Sequence, residues 1–231
     1  MNIALINGSP KGGATNSGFL LEKLRPLLPQ EAEISTYRIG PKALKNEQYL
    51  ELLAMDTLVL AFPLYFDAIP SHLLRMLTEM ERSTQSSNQR PQTVRVYAMI
   101  NNGFFEGDQC KLAVELIRNW CERCGFMFGT AFGHGAGEMF GSVGHVPVGS
   151  GPLKNLGLAL EHLVGSIRSG ESTEPFFTQP NFPRGLWKFS STQLFWNATA
   201  KKNGLKPKDL RRRPGIPPIR LSQSGGKRQD M

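Results

Sequence analysis

The sequence predicts an α/β fold, a doubly wound parallel sheet of five strands with a helical, basic C-terminal extension. Three observations carry that prediction. Between residues 1 and 170, short apolar runs alternate with longer segments of helical period, the pattern of repeated strand–helix units. Two of those short runs, Asn2 to Asn7 and Asp56 to Phe62, are apolar at successive positions, as strands covered on both faces should be. The first run passes directly into a glycine-rich break and a helix start.

Asn2 to Asn7 is too short for a helix and reads as the first strand. Gly8-Ser9-Pro10-Lys11-Gly12-Gly13 breaks regular structure, because glycine permits positive φ and proline fixes its own. Asn16 or Ser17 then caps a helix whose apolar face carries Phe19, Leu20, Leu24 and Leu27. Pro26 and Pro29 end it, and Glu33 to Ile39 is a second strand. Tyr49 to Ala54 is helical, and Asp56 to Phe62 is a third strand. Ser71 to Glu81 is a helix with Leu73, Leu74, Met76, Leu77 and Met80, followed by a polar loop over 82–92. Thr93 to Asn101 is the fourth strand, Asp108 to Gly125 a long helix, and Phe126 to Phe132 the fifth strand. Leu153 to Ser169 closes the core as a helix, with Leu156, Leu160, Leu163 and Ile167 at helical spacing.

Strand, glycine-rich turn and helix N-terminus together make an anion site. Unpaired backbone N–H groups converge there and the helix dipole adds partial positive charge, which suits a phosphate. Ser9, Thr15, Asn16 and Ser17 add side-chain donors and Lys11 a formal charge. The loop is not a Walker A motif, since Ala14 stands where the lysine belongs. Nor is it a G-x-G-x-x-G fingerprint, because Ser9-Pro10 follows Gly8. Proline at position 10 removes a donor and stiffens the turn, which favours a compact monophosphate over a pyrophosphate. The bland alternative is a plain strand–helix turn.

Asn7-Gly8-Ser9-Pro10-Lys11, followed by Asn16-Ser17, resembles the NGSPR…N[ST] loop of the flavodoxin-like NAD(P)H-dependent FMN reductases and their oxidoreductase relatives. Lys11 replaces the commoner arginine and Ser17 the commoner threonine, keeping a cation and a hydroxyl. The resemblance runs from Met1 to about Gly170. It implies a flavodoxin-like sheet and a loop that holds the 5′-phosphate of FMN.

In such sheets ligands sit beyond the C-terminal strand ends. The third strand ends in Pro63-Leu64-Tyr65-Phe66, between Pro63 and Pro70, where flat aromatic surface suits a planar apolar ring. Core packing of Leu64 and Phe66 under the loop explains the same spacing. The segment is similar to the family's P-x-Y loop, which implies a flavin-facing wall. The fourth strand ends in Asn101-Asn102-Gly103-Phe104, whose backbone donors would meet the ring's N1/O2 edge. This is similar to the family's N-x-G-F loop, with Asn102 where a cysteine or small residue is common. A glycine-rich stretch, Phe132 to Met139, follows the fifth strand. Its His134 is either a donor to substrate or an ordinary loop polar group. No catalytic residue is required beyond the flavin.

Three cysteines are an odd number for a disulfide framework. Cys110, Cys121 and Cys124 fall short of the four thiolates of an iron–sulfur cluster, and the last two lie within a predicted helix. No metal site is expected. With no apolar run of transmembrane length and no signal-peptide pattern, a cytoplasmic location is expected.

Net charge is +8, unevenly spread. Arg184 to Met231 carries twelve of the 27 Lys and Arg and two of the 19 Asp and Glu, a local balance of +10 that leaves −2 elsewhere. The expected organisation is a flavin-binding domain over 1–170, an aromatic, basic extension over 171–213 and a disordered tail over 214–231. Leu186 to Lys202 reads as an amphipathic helix stopped at Asn203-Gly204. It suits a membrane surface, or else packing on the core or across a homodimer. No nucleic-acid-binding fold accompanies the basic charge.

The expected function is an FMN-dependent NAD(P)H oxidoreductase that passes hydride through flavin N5 to a quinone, nitro or azo acceptor. The rivals are a flavodoxin-like electron carrier, which the basic charge disfavours, and a non-enzymatic module tethered by its tail.

Overall fold

The structure, a computed structural model, describes residues 1–86, 93–212 and 215. Six parallel strands form one sheet in the order β2-β1-β3-β4-β5-β6. They are β1 (Asn2–Asn7), β2 (Glu33–Arg38), β3 (Thr57–Pro63), β4 (Arg95–Asn101), β5 (Met127–His134) and β6 (Phe176–Thr178). The first five stand in the 2-1-3-4-5 order of the flavodoxin-like fold.

The uniformly apolar strands divide their side chains by simple alternation. Ala4 and Ile6 of β1, Leu58, Leu60 and Phe62 of β3, and Val96, Ala98 and Ile100 of β4 point to one face. There they meet α2 (Asn46–Leu53), α3 (Ser71–Ser86) and α4 (Lys111–Cys124). Ile3, Leu5, Val59, Ala61, Tyr97 and Met99 point to the other face, against α1 (Asn16–Leu24) and, beyond the short α5 (Phe140–Val143), α6 (Lys154–Ser169). Two apolar layers therefore sandwich one sheet.

Several expected boundaries move. The sheet has a sixth strand, because Phe176 to Thr178 pairs with Phe132 to His134. Glycine makes that edge possible, since a Cβ on Gly133 would stand 2.5 Å from the carbonyl oxygen of Gly107, and one on Gly107 would collide with that of Thr178. The helix α3 continues to Ser86, so 82–86 is not loop; 87–92 lies outside the described residues. The N-cap of α1 is Thr15, one residue before Asn16 and two before Ser17, the expected caps, with its hydroxyl accepting from the Gly18 N–H.

One compact unit covers Met1 to Pro183 and a second starts at Arg184. The first boundary thus lies beyond the expected residue 170, because β6 belongs to the sheet. In the second unit, α7 (Arg184–Ser190), a π-helical stretch (Ser191–Asn197) and α8 (Ala198–Lys202) run on without a break. Gly204 at φ 71° ends them, with the Gly204 N–H on the Lys201 carbonyl and the Leu205 N–H on that of Ala200, the Schellman arrangement. The tail over 214–231 lies, save for Gly215, outside the described residues. No helix among the described residues is long and apolar enough to cross a membrane.

Candidate functional site

Three loops at the C-terminal edge of the sheet enclose one cleft. Its lining includes Ser9, Lys11, Asn16 and Ser17 after β1, Pro63, Leu64 and Tyr65 after β3, and Asn101, Asn102 and Gly103 after β4. Ten of the twelve expected binding residues are thereby brought together.

The loop after β1 is built from its own side chains. Gly8 donates its N–H to the Ala61 carbonyl at 2.8 Å, and a Cβ there would come within 2.6 Å of Leu73. The Ser9 N–H goes to Asn7 Oδ1 at 3.0 Å, and Asn7 Nδ2 donates to Thr15 Oγ1 at 3.2 Å. Among the described residues, no backbone N–H from Lys11 to Ser17 has a hydrogen-bond partner. A run of such donors beside a helix N-terminus attracts an anion by partial charge and hydrogen bonding alike. Lys11 adds a cation, and Arg38 at the end of β2 donates to the Lys11 carbonyl, bringing a second cation to the loop. The Ser17 hydroxyl donates to Asn101 Oδ1 at 3.2 Å, so the donor Ser17 keeps for an anion is its backbone N–H.

The β3 loop forms a two-residue hairpin turn. Tyr65 and Ala68 exchange backbone hydrogen bonds at 3.1 and 3.0 Å, and Phe66 and Asp67 between them have φ of 48° and 59°. Pairs of positive φ define a type I′ turn, which favours Asn-Gly. The turn throws Phe66 wholly into solvent, so Phe66 is not part of the cleft wall. Leu64 packs partly on the core and Tyr65 stays half exposed along the cleft.

The β4 loop spends most of its polar groups on itself. Asn102 Nδ2 donates to the Glu106 carbonyl at 3.0 Å and approaches Cys110 Sγ at 3.2 Å. Its Oδ1 accepts the Phe104 N–H at 2.8 Å, and its own N–H meets the His134 carbonyl. Gly103 retains the one N–H of residues 102–104 without a partner among the described residues. Phe104 lies off the cleft, more than half exposed.

His134 is buried at the end of β5 and does not line the cleft. Its Nδ1 lies 2.6 Å from the Gly135 carbonyl, which can only accept, so Nδ1 carries the proton. Nε2 is buried without a partner among the described residues. Burial lowers the pKa to about 4, leaving a neutral imidazole at pH 7 that has no approach to a substrate. Burial likewise pushes the thiols of Cys110 and Cys124 up to about 11, and that of Cys121 higher still.

Sequence reasoning passed over two residues. Arg38 looked like an ordinary strand end. Glu138 lines the cleft from the turn Gly137–Met139, hidden in a stretch read for its glycines. The only signal for either was position at or soon after a strand's C-terminal end.

No protein-family model and no curated protein sequence matches the chain. Solved structures do. A protein from P. pentosaceus described as NADPH-quinone reductase superposes with a TM-score of 0.53 at 12% identity, covering 70% of this chain and 96% of its own. RosB, solved with the bound intermediate 8-demethyl-8-formylriboflavin-5′-phosphate, superposes with a TM-score of 0.50 at 13% identity, covering 100% of this chain and 98% of its own. At such identities the likeness establishes the fold and leaves activity to the site.

Proposed function

We propose that this chain is an FMN-dependent NAD(P)H oxidoreductase acting on quinone-, nitro- or azo-type acceptors. The observation that carries the reading is the run of unpartnered backbone N–H groups from Lys11 to Ser17, beside Lys11 and Arg38 and on the same cleft as an apolar wall. These donors fit a terminal phosphate. Pro63, Leu64 and Tyr65 fit one side of a planar ring, and the Gly103 N–H fits a carbonyl at its edge. The two structural neighbours, one described as a quinone reductase and the other solved with a bound riboflavin phosphate, point the same way.

FMN supplies the hydride-accepting chemistry when bound. This chain's residues bind and orient. The cradle's backbone N–H groups, with Lys11 and Arg38 beside them, would offset the phosphate's negative charge. The Gly103 N–H would meet a ring carbonyl, where negative charge would gather on reduction, and would favour the reduced state there. No side chain is assigned to move a proton, and His134 is excluded from that role by its burial.

Anaerobic mixing of the FMN-loaded protein with NADPH tests the reading. Bleaching of the oxidised flavin colour, with recovery on adding a quinone, is the expected result. A loaded protein that NADPH leaves yellow would contradict it.

A further inference from the structure

We propose that Glu138 is a ligand-reading residue, its carboxylate accepting the ring N–H of the flavin whose phosphate rests in the 11–17 cradle. The assignment rests on the flavin-phosphate reading above.

Glu138 lines the same cleft as the cradle. Its Oε1 lies 2.6 Å from the point a Cβ on Gly103 would occupy, so the carboxylate fills space that glycine at 103 leaves open. Two backbone bonds hold it there. The Ala136 N–H donates to the Phe104 carbonyl, and the Gly137 N–H donates to that of Asn102 at 2.8 Å. Ala136 takes φ 51° to make this fit. Among the described residues the carboxylate has no hydrogen-bond or ion-pair partner.

An ionised carboxylate only accepts hydrogen bonds, so the ligand atom beside it must donate. The neighbouring Gly103 N–H only donates, so the ligand atom beside that must accept. A C=O adjacent to an N–H is the complement of this pair, the pattern of an imide. Oxidised isoalloxazine has a single N–H, N3, and it stands next to C2=O. Position along the sheet agrees, since β1 and β4 are separated by β3. Two strand spacings, about 10 Å, set the imide-reading pair apart from the phosphate cradle. The cleft is thus polar at both ends with opposite sense, donors for phosphate at one and an acceptor for N–H at the other.

The test uses the full chain, FMN and 3-methyl-FMN, in which a methyl group replaces the N3 proton. Affinities are read by flavin fluorescence for the wild type, Glu138→Gln and Glu138→Ala. A hydrogen bond to a charged acceptor makes methylation cost the wild type about tenfold or more. Glu138→Ala should bind FMN about tenfold more weakly and lose most of its discrimination between the two flavins. Glu138→Gln, whose amide oxygen still accepts, should stay within about fivefold of wild type for FMN. An equal methylation penalty in the wild type and Glu138→Ala would overturn the assignment while leaving FMN binding intact. A wild type that holds neither flavin would overturn the flavin reading itself, and the assignment with it.

Discussion

The buried imidazole of His134 carries an acid sensitivity that follows from its surroundings. Its folded pKa, about 4, lies below the ordinary value of 6.5. Between those two values the unfolded chain takes up a proton that the folded chain refuses, so stability falls as pH drops from 6.5 towards 4 and levels off below. The effect amounts to about 3 kcal/mol at most. Urea midpoints should fall between pH 7 and pH 5 in the wild type, and Phe at position 134 should flatten that limb. The Phe66–Asp67 turn makes the opposite kind of prediction. Both residues hold positive φ without being glycine, at a cost on the order of 1 kcal/mol each. Asn-Gly at these positions should raise stability by about 1–2 kcal/mol in denaturant melts. The three buried thiols, with pKa values pushed up by burial, should resist alkylation at pH 7 in native protein and react on unfolding. At this scale the sequence was read unevenly. Ser9 and Lys11 announced themselves through glycine and proline around them, whereas Phe66 was misplaced because its direction depends on a turn type that Phe-Asp does not signal.

Among the elements, β1, β3 and β4 were legible because each is an unbroken apolar run, and the helices because their buried positions recur at helical spacing. The strand β6 was not. It is three residues long, and Pro175 and Pro180 beside it read as extension. What makes it a strand is tertiary, the glycine gap that lets Gly107, Gly133 and Thr178 come together. Gly107→Ala should therefore destabilise the fold by about 2 kcal/mol by forcing backbones apart, measurable as a lower thermal midpoint. The capping of α1 shows a similar limit. Asn16, Ser17 and Thr15 are all competent caps by type, and Asn7 decides among them by donating to Thr15 from the end of β1.

For the whole molecule, every residue of the cleft lies between Ser9 and Glu138, inside the unit that ends at Pro183. A chain cut after Pro183 should fold and hold FMN as the full chain does, by circular dichroism and flavin titration, although it loses twelve of the 27 Lys and Arg and its net charge turns from +8 to −2. Comparing FMN with riboflavin isolates what the phosphate cradle contributes. The two ligands share the ring and differ by the group the cradle would hold. Two charge-assisted hydrogen bonds are worth about 3 kcal/mol net, so FMN should bind about a hundredfold more tightly than riboflavin. Lys11→Ala should narrow that gap by weakening FMN alone. Equal binding of FMN and riboflavin, or binding of neither, would rule out a flavin-phosphate site in this cleft.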